Sequence, residues 1–195
     1  KCMNLINRVK SILLTPKTEW PVIETETTDV KTLTVNYLLP LALITAVATF
    51  IGYGLIGQNV FGVHIGSAGF GLRYALVSLV STIGGAFLTA YIIDLLAPSF
   101  GSEKNFLQSF KLVVYSYTPM LVAGILLIIP SLGILATLAG LYGLYLLYIG
   151  LQPMKKTPED KKTSYFVVSL IVVILGSVVL SAILSSIFIT SGIRY

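Results

Sequence analysis

From residue 36 onward the chain alternates long apolar runs with short polar breaks. The runs cover residues 36–56, 74–97, 106–129, 134–150 and 164–190. A hydrocarbon core of about 30 Å takes about 20 residues of helix, with about 17 as the lower limit. The pattern predicts an all-α integral membrane protein with five transmembrane helices in one bundle. Pro119 falls inside the third run and can bend it. Ser177, Ser181 and Ser185, with Gly84, Gly85, Gly140 and Gly143, are the small residues expected to let helices approach.

The segment before the first run has a different rhythm. In "NLINRVKSILL", Leu5, Ile6, Val9, Ile12 and Leu13 share one helical face, and Arg8 and Lys10 lie elsewhere. Asn4 can cap this helix and Pro16 is expected to stop it. Eleven residues are too few to span, so residues 4–14 read as an N-terminal amphipathic interfacial helix. Its apolar face can lie on anionic lipid or on the protein's own surface. Trp20 has the character of an interfacial anchor, and with Arg8 and Lys10 completes an expected lipid-interface set. Thr-rich residues 24–34 read as extended. The division is therefore a cytoplasmic N-terminal segment, 1–35, and a five-span domain, 36–195.

Composition sharpens this reading. The chain is 55% hydrophobic and 11% charged, too little charge to cover a soluble domain of 195 residues. The first long apolar run starts after about 35 residues, later than the apolar core of a secretory leader. One Cys and one His, Cys2 and His64, allow no internal disulfide and no Cys/His metal cluster. His64 sits in the Gly-rich linker "GVHIGSAGFG", where it reads as a loop histidine. There is no phosphate-cradling or dinucleotide fingerprint. Catalytic, cofactor-binding and metal residues are accordingly expected to be none. The net charge of +5 reads as membrane orientation, with no nucleic acid as partner.

Eleven of the 13 Lys and Arg residues fall on one side if the N-terminus is cytoplasmic, leaving Arg73 and Arg194 outside. That asymmetry predicts an N-terminus inside and a C-terminus outside. Membrane lipids are the expected partners, with a protein partner or a second copy of the chain as further possibilities.

Two charges interrupt the apolar runs. Asp94 lies four residues before Pro98 at the end of the second, and Lys111 five residues after Phe106 in the third. Both come about one turn below the same surface of antiparallel neighbours. They can therefore pair, which offsets the cost of burying either alone. Tyr91, Tyr115, Tyr117, Tyr145 and Tyr148 gather at related positions and complete a candidate polar intramembrane site. The competing arrangement is an aromatic belt with Lys111 reaching to headgroups.

The stretches "NLINRVKSILLTPKTEWPVI", "YIIDLLAPSFG", "YSYTPML" and "LYGLYLLYIGL", followed by "KTPEDK", resemble the Yip family of Ypt/Rab-GTPase-interacting membrane proteins, in its short prokaryotic form. The resemblance implies five spans with a cytoplasmic N-terminus. The family's Asp-Leu-Tyr-Gly-Pro hallmark looks carried by Asp94, Leu95 and Pro98, with Leu96 and Ala97 departing from its Tyr and Gly. Its Tyr-rich motif looks carried by Tyr115, Tyr117 and Pro119. It further implies a non-enzymatic scaffold, adaptor or trafficking-like factor, placed here in a prokaryotic cytoplasmic membrane. The alternative from the residues is a small-solute or ion transporter using Asp94, Lys111 and the tyrosines. Against it, five spans do not divide into equal inverted halves. A membrane enzyme is the weakest reading, since one intramembrane acid and one His leave little for acid–base work.

Overall fold

The computed structural model describes residues 4–60 and 63–188. Two short helices precede five long ones. Helix α1 is Leu5–Leu14 and α2 is Pro16–Thr25. The five long helices are α3 (Val30–Ile56), α4 (Ala68–Phe100), α5 (Phe106–Ile128), α6 (Pro130–Lys155) and α7 (Glu159–Phe188). All five are long and apolar enough to cross a membrane. One small hairpin, β1 (Gln58–Val60) against β2 (Val63–Ile65), links α3 to α4, and His64 belongs to it. Lys1, Cys2, residues 189–190 of the fifth run and Arg194 lie outside the described residues, as does the side chain of Ser185.

The elements begin where local chemistry starts a helix. Asn4 accepts the Ile6 amide at 3.1 Å and opens α1. Pro16 does not merely end α1; it opens α2, at a position where its missing N–H costs nothing. Asp29 accepts the Thr32 amide at 3.2 Å, so α3 starts at Val30, six residues before the apolar run. The extended reading of residues 24–34 is therefore corrected: only the stretch between Thr25 and Val30 is non-helical. A wider π-helical turn, Thr34–Leu38, precedes Pro40, which cannot donate into the ladder. Tyr117, two residues before Pro119, divides α5 into two helical pieces.

The other end correction concerns α6. Residues 151–155, in the polar break after the fourth apolar run, continue the helix through Pro153. Lys156 then takes the left-handed conformation, φ 50°, and the chain turns directly into α7.

Helix α5 is the most buried of the five and α7 the least. The core lies where α1 and α2 close over the bundle's end, with Trp20, Ile23, Tyr37, Phe110, Leu146 and Tyr165 at its centre. The N-terminal helices are thus docked on the protein. Tyr142 Oη donates to the Leu13 carbonyl at 2.8 Å, and Ile12 is fully buried.

Close approach comes from glycines other than most of those expected. A Cβ on Gly71 would fall 2.3 Å from the Cα of Gly54, so α3 and α4 touch backbone to backbone there. Gly143 does make a close contact, beneath the Ser116 carbonyl, whereas Gly140 has open space where a side chain would be.

Candidate functional site

Asp94 is buried near the end of α4, and the chain immediately after α4 folds back over it. Asn105, which caps α5, donates its amide to Asp94 Oδ1 at 2.7 Å. Ser109, one turn into α5, donates to the same oxygen at 3.2 Å. The third donor is Lys155 Nζ, at 2.8 Å, which also reaches the Asn105 carbonyl at 3.1 Å. Lys155 is fully buried. The pair is therefore Asp94–Lys155, and the expected pairing of Asp94 with Lys111 is corrected.

The reason is azimuth. Ser109 and Lys111 are two residues apart on α5, about 200° around a helix of 3.6 residues per turn. The face that meets Asp94 turns Lys111 away from it. Lys111 Nζ instead donates to the carbonyls of Ile23 and Glu26, at 3.1 and 2.7 Å. Those carbonyls lie at and just past the C-terminal end of α2, where a cation complements unpaired carbonyls. Gln108 supports the same junction through Nε2 to the Glu24 carbonyl, 3.1 Å.

A second ionic cluster sits on the other side of that junction. Arg8 is 3% exposed, which removes it from the expected lipid-interface set. Its guanidinium bridges Glu19 and Glu26, the latter at 2.6 Å, and lies 5.4 Å from the centre of the Tyr115 ring. Tyr115 stands edge-on to Tyr37 at 4.8 Å and to Trp20 at 6.5 Å. Trp20 is 1% exposed and belongs to the core, so the expected interfacial anchor is corrected too. Lys10 alone of that set stays exposed.

The tyrosines disperse. Tyr91 is 58% exposed, whereas Asp94 is 7% exposed beneath its three donors. Tyr145 is also exposed, and Tyr148 bonds Thr163 at 3.2 Å under the ammonium of Lys162, 4.4 Å from its ring. Tyr117 bonds Thr89 at 3.1 Å and lines a cavity of about 330 Å³ among α4, α5, α6 and α7. Ser116, Ser177 and Ser181 line it as well. Of the motif prolines, Pro98 is exposed at the closing turn of α4 and Pro119 is buried in α5.

Three further bonds stitch the same end. Tyr165 Oη donates to the Ile93 carbonyl. Ser102 bonds Thr157 at 2.9 Å, and the Glu103 amide meets the Lys155 carbonyl at 2.9 Å. Lys155, Thr157 and Glu19 were not singled out from sequence; the signal available was Lys155 at helical spacing from Leu151 across Pro153. Among the described residues no group of three or more His, Cys, Asp or Glu side chains could hold a metal.

The family model for the Yip1 domain matches residues 10–183. No curated protein and no solved structure matches the chain. The match takes in Asp94 and Lys155, the two acids that pair with Arg8, and the five long helices as far as residue 183, and the chain is an integral membrane protein that belongs to the Yip family.

Proposed function

We propose that this Yip-family protein is a non-enzymatic membrane scaffold or adaptor, with its charged end at the cytoplasmic face of a prokaryotic cell membrane. The observation that carries this reading is where the buried charges go. Asp94, Lys155, Arg8 and Lys111 all bind groups that fix α1, α2 and the interhelical turns to the bundle. Ionisable groups inside a membrane more often mark a solute or proton path. Here they brace a platform that lipids, a protein partner or a second copy of the chain can engage.

The transporter reading keeps one observation in its favour, the cavity of about 330 Å³ among the spans. Its lining carries hydroxyls and, among the described residues, no charged group to couple ions to a solute. Proteoliposomes filled with pH- and potassium-sensitive dyes separate the two. The scaffold reading expects leak rates equal to protein-free vesicles for the wild type and for Asp94→Asn. A wild-type flux that Asp94→Asn abolishes would replace it with transport. Orientation is tested by single cysteines at Glu159 and Gly66 in a Cys2-free background. Impermeant labelling of intact cells is expected at Gly66 only, and labelling of both, or of Glu159 alone, would reverse the assignment.

A further inference from the structure

A cleft of about 390 Å³ opens between α2 and the adjoining ends of α6 and α7. Lys17, Trp20, Pro21, Ile149, Gln152 and Lys162 line it. Its polar groups are two ammoniums, one carboxamide and one indole N–H, and among the described residues no carboxylate lines it. Four acids near this end are paired elsewhere: Glu19 and Glu26 with Arg8, Asp94 with Lys155, Glu103 with Lys156; Glu24, Glu159 and Asp160 lie at the same end and do not line the cleft. Lys17 and Lys162 form no ion pair among the described residues.

The indole supplies the second observation. Trp20 is 1% exposed, yet its Nε1–H has no hydrogen-bond partner. A buried donor left unpaired is costly and calls for an acceptor. The ring packs on Gly150, where an added Cβ would come within 2.7 Å of it. The depth of the cleft names the acceptor's source. Gln152 lies one turn before the end of α6, and Lys162 one turn after the start of α7. That is the level at which the phosphates of a bilayer meet the ends of spanning helices. Pro21 and Ile149 add apolar surface that a glycerol backbone and first methylenes can cover, and that a free ion would not need.

We propose that this cleft binds the headgroup phosphate of an anionic phospholipid, with Lys17 and Lys162 as counter-charges and Gln152 and Trp20 Nε1 as hydrogen-bond donors. A net negative headgroup fits because two ammoniums line the cleft and, among the described residues, no carboxylate does. The assignment is independent of the scaffold reading, since a transporter could hold the same lipid.

The chain contains a single tryptophan, so intrinsic emission reports on the site directly. Full-length protein in neutral detergent is titrated with dihexanoyl phosphatidylglycerol, dihexanoyl phosphatidylcholine and inorganic phosphate. A saturable change in Trp20 emission is expected with phosphatidylglycerol, at about tenfold lower concentration than with either of the others. Lys17→Gln with Lys162→Gln should weaken it about tenfold or more, and Lys17→Arg with Lys162→Arg should preserve it. An unchanged response in the Gln double variant, or equal responses to both lipids, overturns the site. A response to inorganic phosphate as tight as to phosphatidylglycerol overturns the lipid as its source. Native mass spectrometry of the wild type from mixed micelles reads the same preference without any substitution. Selective retention of phosphatidylglycerol supports the site, and equal retention of the two lipids rejects it.

Discussion

At the charged end of the bundle, Asp94 and Lys155 meet at 2.8 Å under a cover of loops and short helices. At the opposite end, Gly54 and Gly71 bring α3 and α4 together backbone against backbone. Among the described residues every ion pair belongs to the first region. The difference follows from the solvent. Helices in lipid gain little from apolar contact with each other, because lipid tails are as apolar as leucine. They need close packing or polar bonds, and charges are affordable only where water and headgroups are near. The charged end therefore uses directional bonds to hold two helices that do not span, α1 and α2. The far half uses the absence of side chains.

The sharpest way to break this contrast is to strand one buried charge. Asp94→Asn or Lys155→Met alone is expected to destabilise the protein by about 3–5 kcal/mol, read as thermal unfolding in detergent. The double change should recover part of that loss, because neither charge is then left alone. Asp94→Asn combined with Lys111→Met should be additive instead, since those two side chains bind different groups. Recovery in that second pair would return the interaction to Lys111.

Next in size is Arg8→Met. It leaves Glu19 and Glu26 facing each other without their cation, and the expected loss is about 2–3 kcal/mol. The loss is smaller than for Lys155 because the Glu26 side chain is 25% exposed and can recover water. The readout that makes it specific is protease sensitivity of α1 and α2, with the five long helices staying intact. Uniform unfolding would mean the two regions are not separable.

The far half is probed by volume. Gly71→Ala places a methyl 2.3 Å from Gly54 Cα, and overpacking of this kind costs about 1–3 kcal/mol. Gly140→Ala meets open space and should fall within about 0.5 kcal/mol of wild type. Equal effects at the two positions would sink the distinction between close-packed and loosely packed helix pairs.

The sequence made the two regions unequally legible, for a physical reason. Length and hydropathy fix that a helix crosses and at what depth a residue lies, so five spans and the shared depth of Asp94 and Lys111 could be read. Depth says nothing about azimuth across a helix pair. Lys111 is 200° from Ser109 by helical geometry, but only the fold shows that Ser109 is the residue turned to α4. Lys155 was hidden by its setting, since a run rich in Lys, Glu and Pro looks like a solvated linker, and Pro153 like a stop. The chain continues as helix because packing of Leu151 and Met154 into the core holds the turn across the proline. Arg8 was hidden in the same way: on an isolated amphipathic helix an arginine belongs to the wet face. It is buried here because Glu19 and Glu26, on and just past α2, close over it. Trp20 looked like an interfacial ring for want of any sign that Gly150 makes room for it.

The smallest expected effect lies between the two regions, at Asp29, where the non-spanning helices give way to α3. Its side chain accepts the Thr32 amide at 3.2 Å, and hydrogen bonding to the Thr32 side chain first, and to its amide second, holds the carboxyl below its ordinary range. A lowered pKa means the cap stabilises the first turn of α3 at neutral pH. The contribution is present above the unfolded carboxyl's value and is lost as pH falls through the folded one. Hydrogen-exchange protection of the Thr32 amide, corrected for intrinsic rates, should therefore hold steady from neutral pH to about 5 and fall below about 4. Asp29→Asn keeps an acceptor and removes the charge, so its protection should be lower but flat across that range. Asp29→Ala should lose protection at every pH while leaving the Asp94–Lys155 end unchanged. A pH-dependent loss that persists in Asp29→Asn would assign the titration to a different group and make the start of α3 part of the charged end.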